Sequence, residues 1–235
     1  MSRKVKGVVD FVFAVDVSAS MGPCIEALSA GLSRLIDELI GNPQTPVRSW
    51  RDRVVDFRDA CIDDEPLIVF PLVEGDADAL KAQLNALVVA GGGDMPESLL
   101  DALWMIVHAG ETAPGAAELN PIRWRHRRDA ARVVIVFTDA DFHPVLSIPE
   151  AEGGTLDDVA NAVMEHRVYL HVFAPELPSY ASLSEIDRTE FQPICGPRED
   201  PQAALRHLVS NTANFHATLE MLARSVSRSA AVEVL

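Results

Sequence analysis

Two short runs place oxygen-bearing side chains where one ligand could meet them all. Asp16-Val17-Ser18-Ala19-Ser20 follows the apolar run 8–15. In an extended segment positions i, i+2 and i+4 face the same way, so one carboxylate and two hydroxyls converge. Thr138-Asp139-Ala140-Asp141 follows the apolar run 132–137 and brings a further carboxylate. Gly91-Gly92-Gly93-Asp94-Met95-Pro96-Glu97 joins two helical stripes, and its glycines let the backbone turn through positive φ and approach a ligand closely. Oxygens from three loops suit a hard divalent cation. Mg²⁺ prefers octahedral oxygen donors at about 2.0–2.1 Å and keeps several waters, while Mn²⁺ and Ca²⁺ are the alternatives. Hydroxyls complete a coordination shell without adding charge, which leaves the metal electrophilic towards an incoming carboxylate. That is the chemistry of a binding switch.

Each run also has a plainer reading. Ser18 or Ser20 could cap the helix that starts near residue 23. Asp94 with Glu97 reads as a D-x-x-E capping box with a proline in the first turn. Asp139 alone at a strand end says little. The conjunction of three loops at one edge favours the metal.

What must hold those loops is a sheet. The runs 8–15, 67–73, 132–137 and 168–174 are short, β-branched and nearly continuously apolar, the mark of strands buried on both faces. Segment 50–57 alternates, and only about nine residues separate it from 67–73, too few for a crossover helix, so those two strands should be antiparallel. Helical stripes run over 25–39, 80–88, 99–107, 156–164 and 215–226. The order predicts an α/β fold, doubly wound and mostly parallel, with helices on both faces and a further short strand near 191–195. We expect a single domain over 1–235, with 111–128 and 175–200 as loop insertions. In such sheets ligands collect outside the carboxyl ends of the strands.

Composition narrows the function. Twenty Lys and Arg against 35 Asp and Glu give a net charge of −15. Nucleic acid and anionic membrane surfaces both need clustered cations, so neither is an expected partner. Asp10 and Asp16 interrupt the first apolar run, which is therefore no signal peptide, and no stretch reaches the roughly 18–20 apolar residues of a membrane span. Cys24, Cys61 and Cys195 are odd in number and lack CxxC spacing, so no disulfides are expected and a reducing, cytoplasmic setting fits.

The strand followed by D-x-S-x-S-M (FVFAVDVSASM), the glycine-rich loop and the buried strand ending in Thr-Asp (VVIVFTD) resemble a von Willebrand factor A (VWA) domain with its metal-ion-dependent adhesion site. The likeness runs from about Val8 to Ser227. It implies a six-stranded sheet with one antiparallel strand and Mg²⁺ at its upper edge. Asp16, Ser18, Ser20 and Asp139 match the metal positions; the resemblance implies direct binding by the serines and water-mediated contact by the aspartates. Where many adhesive members carry Thr, this chain has Asp94, in a GGGDxPE pattern similar to an intracellular branch of the family. Asp16, Asp94 and Asp139 then total −3 against a metal of +2, which disfavours an acidic sixth ligand.

The implied function is a non-catalytic, divalent-metal-binding interaction module that engages a partner protein at that edge. The alternatives are a Mg²⁺-dependent phosphohydrolase-like enzyme, or a structural subunit whose metal only stiffens the loops. A dehalogenase-type phosphatase places a second Asp where this chain has Ser18, and no G-x-S-x-G or phosphate-binding glycine motif occurs. Asp59, Glu97, Asp141 and His143 could form a second shell or line the binding face. The remaining histidines show no metal-ligand spacing. Arg123, Arg125, Arg127 and Arg128 flank Trp124 as a basic cluster, which either docks an acidic partner or neutralises the protein's own carboxylates.

Overall fold

The structure, a computed structural model, describes residues 7–41, 47–91 and 96–230. Asp94, the proposed third aspartate of the metal site, lies outside the described residues. The first strand, β1 (Val8–Asp16), leads through a single 3₁₀ turn into α1 (Gly22–Gly41). Next come β2 (Ser49–Phe57), β3 (Leu67–Val69), β4 (Val73–Glu74), α2 (Ala77–Asn85) and α3 (Leu99–Val107). The second half holds β5 (Ala131–Phe137), α4 (Leu156–His166), β6 (Val168–Ala174), α5 (Pro178–Ser184), β7 (Thr189–Pro193), α6 (Pro201–Ser210) and α7 (Thr212–Ala230).

One sheet runs β3-β2-β1-β5-β6-β7, with β4 also paired to β2. The pairs β1–β2, β1–β5, β5–β6 and β6–β7 are parallel, and β3 and β4 are antiparallel to β2. The expected antiparallel partner of β2 is therefore present but broken. Pro71, which has no N–H to give a ladder, separates its two pieces. The stretch 175–200 is not an irregular insertion: it contains α5 and β7, and β7 is the short strand expected near 191–195, two residues earlier.

Alternating residues of the central strands feed two cores. Phe11, Phe13 and Val15 pack with Val133, Ile135 and Phe137 under α1, α2, α6 and α7. Val12 and Ala14 pack with Val134 and Val136 under α3, α4 and α5, together with Trp124. On the first face α1 lies tightly against α7: a Cβ on Gly31 would sit 2.4 Å from Leu219 Cδ1.

Polar groups in the sheet show where sequence periodicity is broken and why. Asp10 lies in register with Arg51 of β2 and Arg132 of β5. Its carboxylate takes Arg51 in a two-pronged pair, through Nε at 3.1 Å and Nη2 at 2.5 Å, and accepts from the Arg125 backbone N–H at 2.6 Å and guanidinium at 3.1 Å. Arg51 also donates to the carbonyls of Asn120 and Arg123, and Arg132 to that of Arg125 and to the Glu111 carboxylate. The segment 111–128 is thus pinned over the amino ends of the strands. Arg125 of the basic cluster is turned inward on Asp10, as the self-neutralising reading expected. Arg127 donates to the Glu165 carbonyl at 3.3 Å.

Asp52 is different. It is wholly buried, and neither carboxylate oxygen has a hydrogen-bond partner among the described residues. Burial raises its carboxyl to about 8, with the Asp76 and Asp10 charges adding and the Trp50 indole opposing. The folded protein therefore holds a proton there that the unfolded chain, near 3.8, has already lost. Stability from this group is complete at low pH and is lost as pH rises towards 8. Asp52→Asn should match the wild type near pH 4 and exceed it by on the order of a few kcal/mol near pH 8. Urea midpoints of the two proteins across that range check this.

Candidate metal centre

The carboxyl ends of β1 and β5 are neighbours in the sheet, so the turns that leave them share one edge. Asp16 ends β1 on the face of Val12 and Ala14, and its side chain is fixed from both sides. Oδ1 accepts the Ser18 backbone N–H at 2.8 Å and Oδ2 the Thr138 hydroxyl at 2.7 Å. Thr138 is steadied in turn by the Ala140 N–H at 3.1 Å. The Ser20 hydroxyl donates to Asp139 Oδ1 at 3.0 Å, and the Ser18 and Ser20 hydroxyl oxygens lie 3.2 Å apart. Since Ser20 has one proton and commits it to Asp139, Ser18 is the donor to Ser20. The Ser18 side chain makes no capping bond to the 3₁₀ turn that it precedes. Asp16, Ser18, Ser20 and Asp139 are thus brought together as the sequence expected.

The electrostatics of the cluster suit a cation. Burial raises the Asp16 carboxyl to about 6, with the Asp139 charge adding and the Ser18 and Thr138 bonds opposing. Burial also raises Asp139, whose Oδ2 has no hydrogen-bond partner among the described residues. Glu97 is 2% exposed, its Oε2 likewise lacks a partner, and burial plus the charges of Asp16, Asp59, Asp63 and Asp139 push it to about 8. Buried carboxylates that repel one another and keep orphaned oxygens are what a divalent cation satisfies. The donor set, all oxygen, fits Mg²⁺.

Glu97 does not serve as a helix cap. The helix α3 starts at Leu99, with Ser98 as its N-cap residue, so Glu97 and Pro96 precede it and the D-x-x-E box has no first turn to close. Instead Glu97 is stitched to the loop after β5: its N–H donates to the Asp141 carbonyl at 2.9 Å, and its carbonyl accepts from the His143 N–H at 3.0 Å. Asp141 holds the Phe142 N–H at 2.8 Å and the Ser179 hydroxyl, which ties α5 to this edge. The Tyr180 hydroxyl donates to the Ala140 carbonyl at 2.8 Å beside it.

Asp59, in the turn after β2, is buried and accepts from the Cys61 N–H at 2.8 Å, while His143 Nε2 lies 2.8 Å from the same oxygen. His143 is therefore bonded to the turn after β2 instead of lying in a solvated loop. Thr138, which orients Asp16, and Cys61, beside Asp59 and His143, were not singled out from sequence. The first is legible in hindsight as the hydroxyl next to Asp139. For the second no sequence signal exists, because its neighbour His143 is distant along the chain.

Comparisons with known proteins complete the picture. No family model matches the sequence, and no curated protein matches it. Among solved structures, the crystal structure of the SpRpn10 VWA domain superposes with a TM-score of 0.52 at 13% sequence identity, covering 83% of this chain and 93% of that one. No described helix is long and apolar enough to cross a membrane, and the three cysteines are free. A mostly parallel sheet with one interrupted antiparallel edge and helices on both faces, matched over nearly all of that domain, gives this chain a VWA-like fold.

Proposed function

We propose that this chain is a non-catalytic interaction module that binds a divalent cation, Mg²⁺ first, at the carboxyl edge of β1 and β5 and engages a partner protein there. The observation that carries the reading is the run of oxygens from Ser18 through Ser20 to Asp139, ending on the orphaned Oδ2. Asp16, Ser18, Ser20 and Asp139 would hold the ion. When bound, it supplies a Lewis-acidic position at which a donor atom from a partner can be captured. The chain's own residues do the positioning: Thr138 and the Ser18 N–H aim Asp16, and Ser20 aims Asp139. Asp94 belongs to the same reading and would add negative charge, so the captured donor is expected to be neutral.

Thermal unfolding tests the metal. Mg²⁺ at about 100 times Kd should stabilise the fold by about 2.7 kcal/mol, a rise of about 5–10 °C in a chain of this size. Asp16→Ala should abolish that rise. No shift in the wild type would sink the metal reading. Metal-dependent capture of a partner, set against hydrolysis of a generic phosphoester, then divides module from enzyme. Asp94→Thr should strengthen binding of a carboxylate-bearing peptide in Mg²⁺; unchanged or weaker binding would remove the charge argument.

A further inference from the structure

The geometry points to a second metal site, formed by Asp59, Cys61 and His143, that takes Zn²⁺ or a similar borderline-soft divalent cation. One carboxylate oxygen, the Cys61 sulfur and one His143 ring nitrogen all lie within 4.8 Å of one another. That is the spacing of atoms that can share one ion. The donors differ in kind from those of the oxygen cluster. Thiolate and imidazole select Zn²⁺ and its neighbours, while Mg²⁺ is held by oxygen alone. The charges also balance: one carboxylate and one thiolate offset a +2 ion, with a neutral imidazole as third ligand.

Three features support a built site over a chance pairing. First, Asp59 Oδ1 already accepts from the Cys61 N–H and sits 2.8 Å from His143 Nε2, so a metal would replace the single proton between two poised ligands. Second, the two loops are braced by a common piece of chain. Ser98 N–H donates to the Arg58 carbonyl at 3.1 Å and its hydroxyl accepts from Ala60 at 2.9 Å, while Glu97 binds Asp141 and His143 through its backbone. The ligands therefore need little ordering to bind. Third, Glu97 Oε2 is buried without a partner among the described residues, and the charges of Asp59 and Asp63 help to hold the Glu97 proton in place, so the surroundings of this spot are acidic and favour a cation. Cys61 is exposed and His143 partly so, which leaves one side of the ion open. Three protein ligands with an open fourth position is the arrangement in which Zn²⁺ accepts an outside donor.

Co²⁺ titrated into the full chain, with a thiol-free reductant, is the direct test. With excess Mg²⁺ present to fill the oxygen cluster, one Co²⁺ should bind with a thiolate-to-cobalt charge-transfer band in the near ultraviolet, displaced by Zn²⁺. Cys61→Ser should lose the band, and both Cys61→Ser and His143→Ala should weaken Zn²⁺ binding by roughly 10- to 100-fold or more. Cys24 and Cys195 are buried, so neither is an alternative source of the signal. Asp16→Ala, which targets the oxygen cluster, should leave the band intact, and the Mg²⁺ response should survive in Cys61→Ser; the two sites thus fail separately. Far-ultraviolet circular dichroism confirms that each variant is folded. No band in the wild type, a band that persists in Cys61→Ser, or one that vanishes in Asp16→Ala would each overturn the assignment and leave Asp59–His143 as an ion pair only.

Discussion

Asp10→Asn should cost the fold about 3–5 kcal/mol, the usual penalty for removing one partner of a buried ionic group. Asp10 is 0% exposed, and Arg51, which it pairs, is 1% exposed. The asparagine keeps the shape, so packing is preserved and the charge is what changes. It also turns an amide N–H₂ towards guanidiniums that have only donors to offer. Arg51 and Arg125 would then be left without their carboxylate in the interior. Arg51 would retain the carbonyls of Asn120 and Arg123, which is why a total collapse is not expected. Chemical denaturation with a two-state fit measures the loss. A change below about 1 kcal/mol would mean that solvent reaches the cluster and screens it.

Trp124→Ala should be of similar size, about 3–5 kcal/mol, for a different physical reason. Trp124 is 0% exposed although it belongs to no helix or strand. Its indole N–H donates to the Ile106 carbonyl at 2.8 Å near the end of α3, and the Arg53 guanidinium lies 5.8 Å from the ring centroid. Its backbone binds Gly110 and Thr112. Truncation would remove the largest fully buried side chain of the loop and leave a cavity that rigid strands cannot close. Trp124→Phe keeps most of the volume and loses the hydrogen bond, so it should cost less than half as much. The ordering of the two variants in denaturation separates packing from hydrogen bonding.

The central strands were legible because burial on both faces leaves an unmistakable apolar run. Val12-Phe13-Ala14-Val15 and Val133-Val134-Ile135-Val136 are of this kind. Asp16, Ser18, Ser20 and Asp139 could be placed because they follow such runs directly, and a parallel sheet brings the ends of its strands to one edge. The helix within 175–200 was hidden for the opposite reason. In α5 only Tyr180 and Leu183 are buried, too short a stripe to read as a helix. The short strand expected near 191–195 is β7, but its bounds were blurred because every residue in it is at least partly exposed. The D-x-x-E pattern offered a plainer reading of Glu97 that does not hold, because a capping box is defined locally, whereas the helix start was set by Leu99 and Leu100 entering the core. The Asp59–His143 bond spans 84 residues, and no local pattern announces a contact of that range.

The ends of the strand order carry a last consequence, for assembly. At one margin Pro71 divides β3 from β4, and at the other β7 closes on Pro193. Each proline deprives a would-be neighbouring strand of a donor where the row of backbone groups would otherwise invite one. Molecules of this protein are thereby discouraged from adding to one another edge to edge. A strand added at either margin would meet a proline with no N–H to give it, and one carbonyl of the newcomer would go unpaired there.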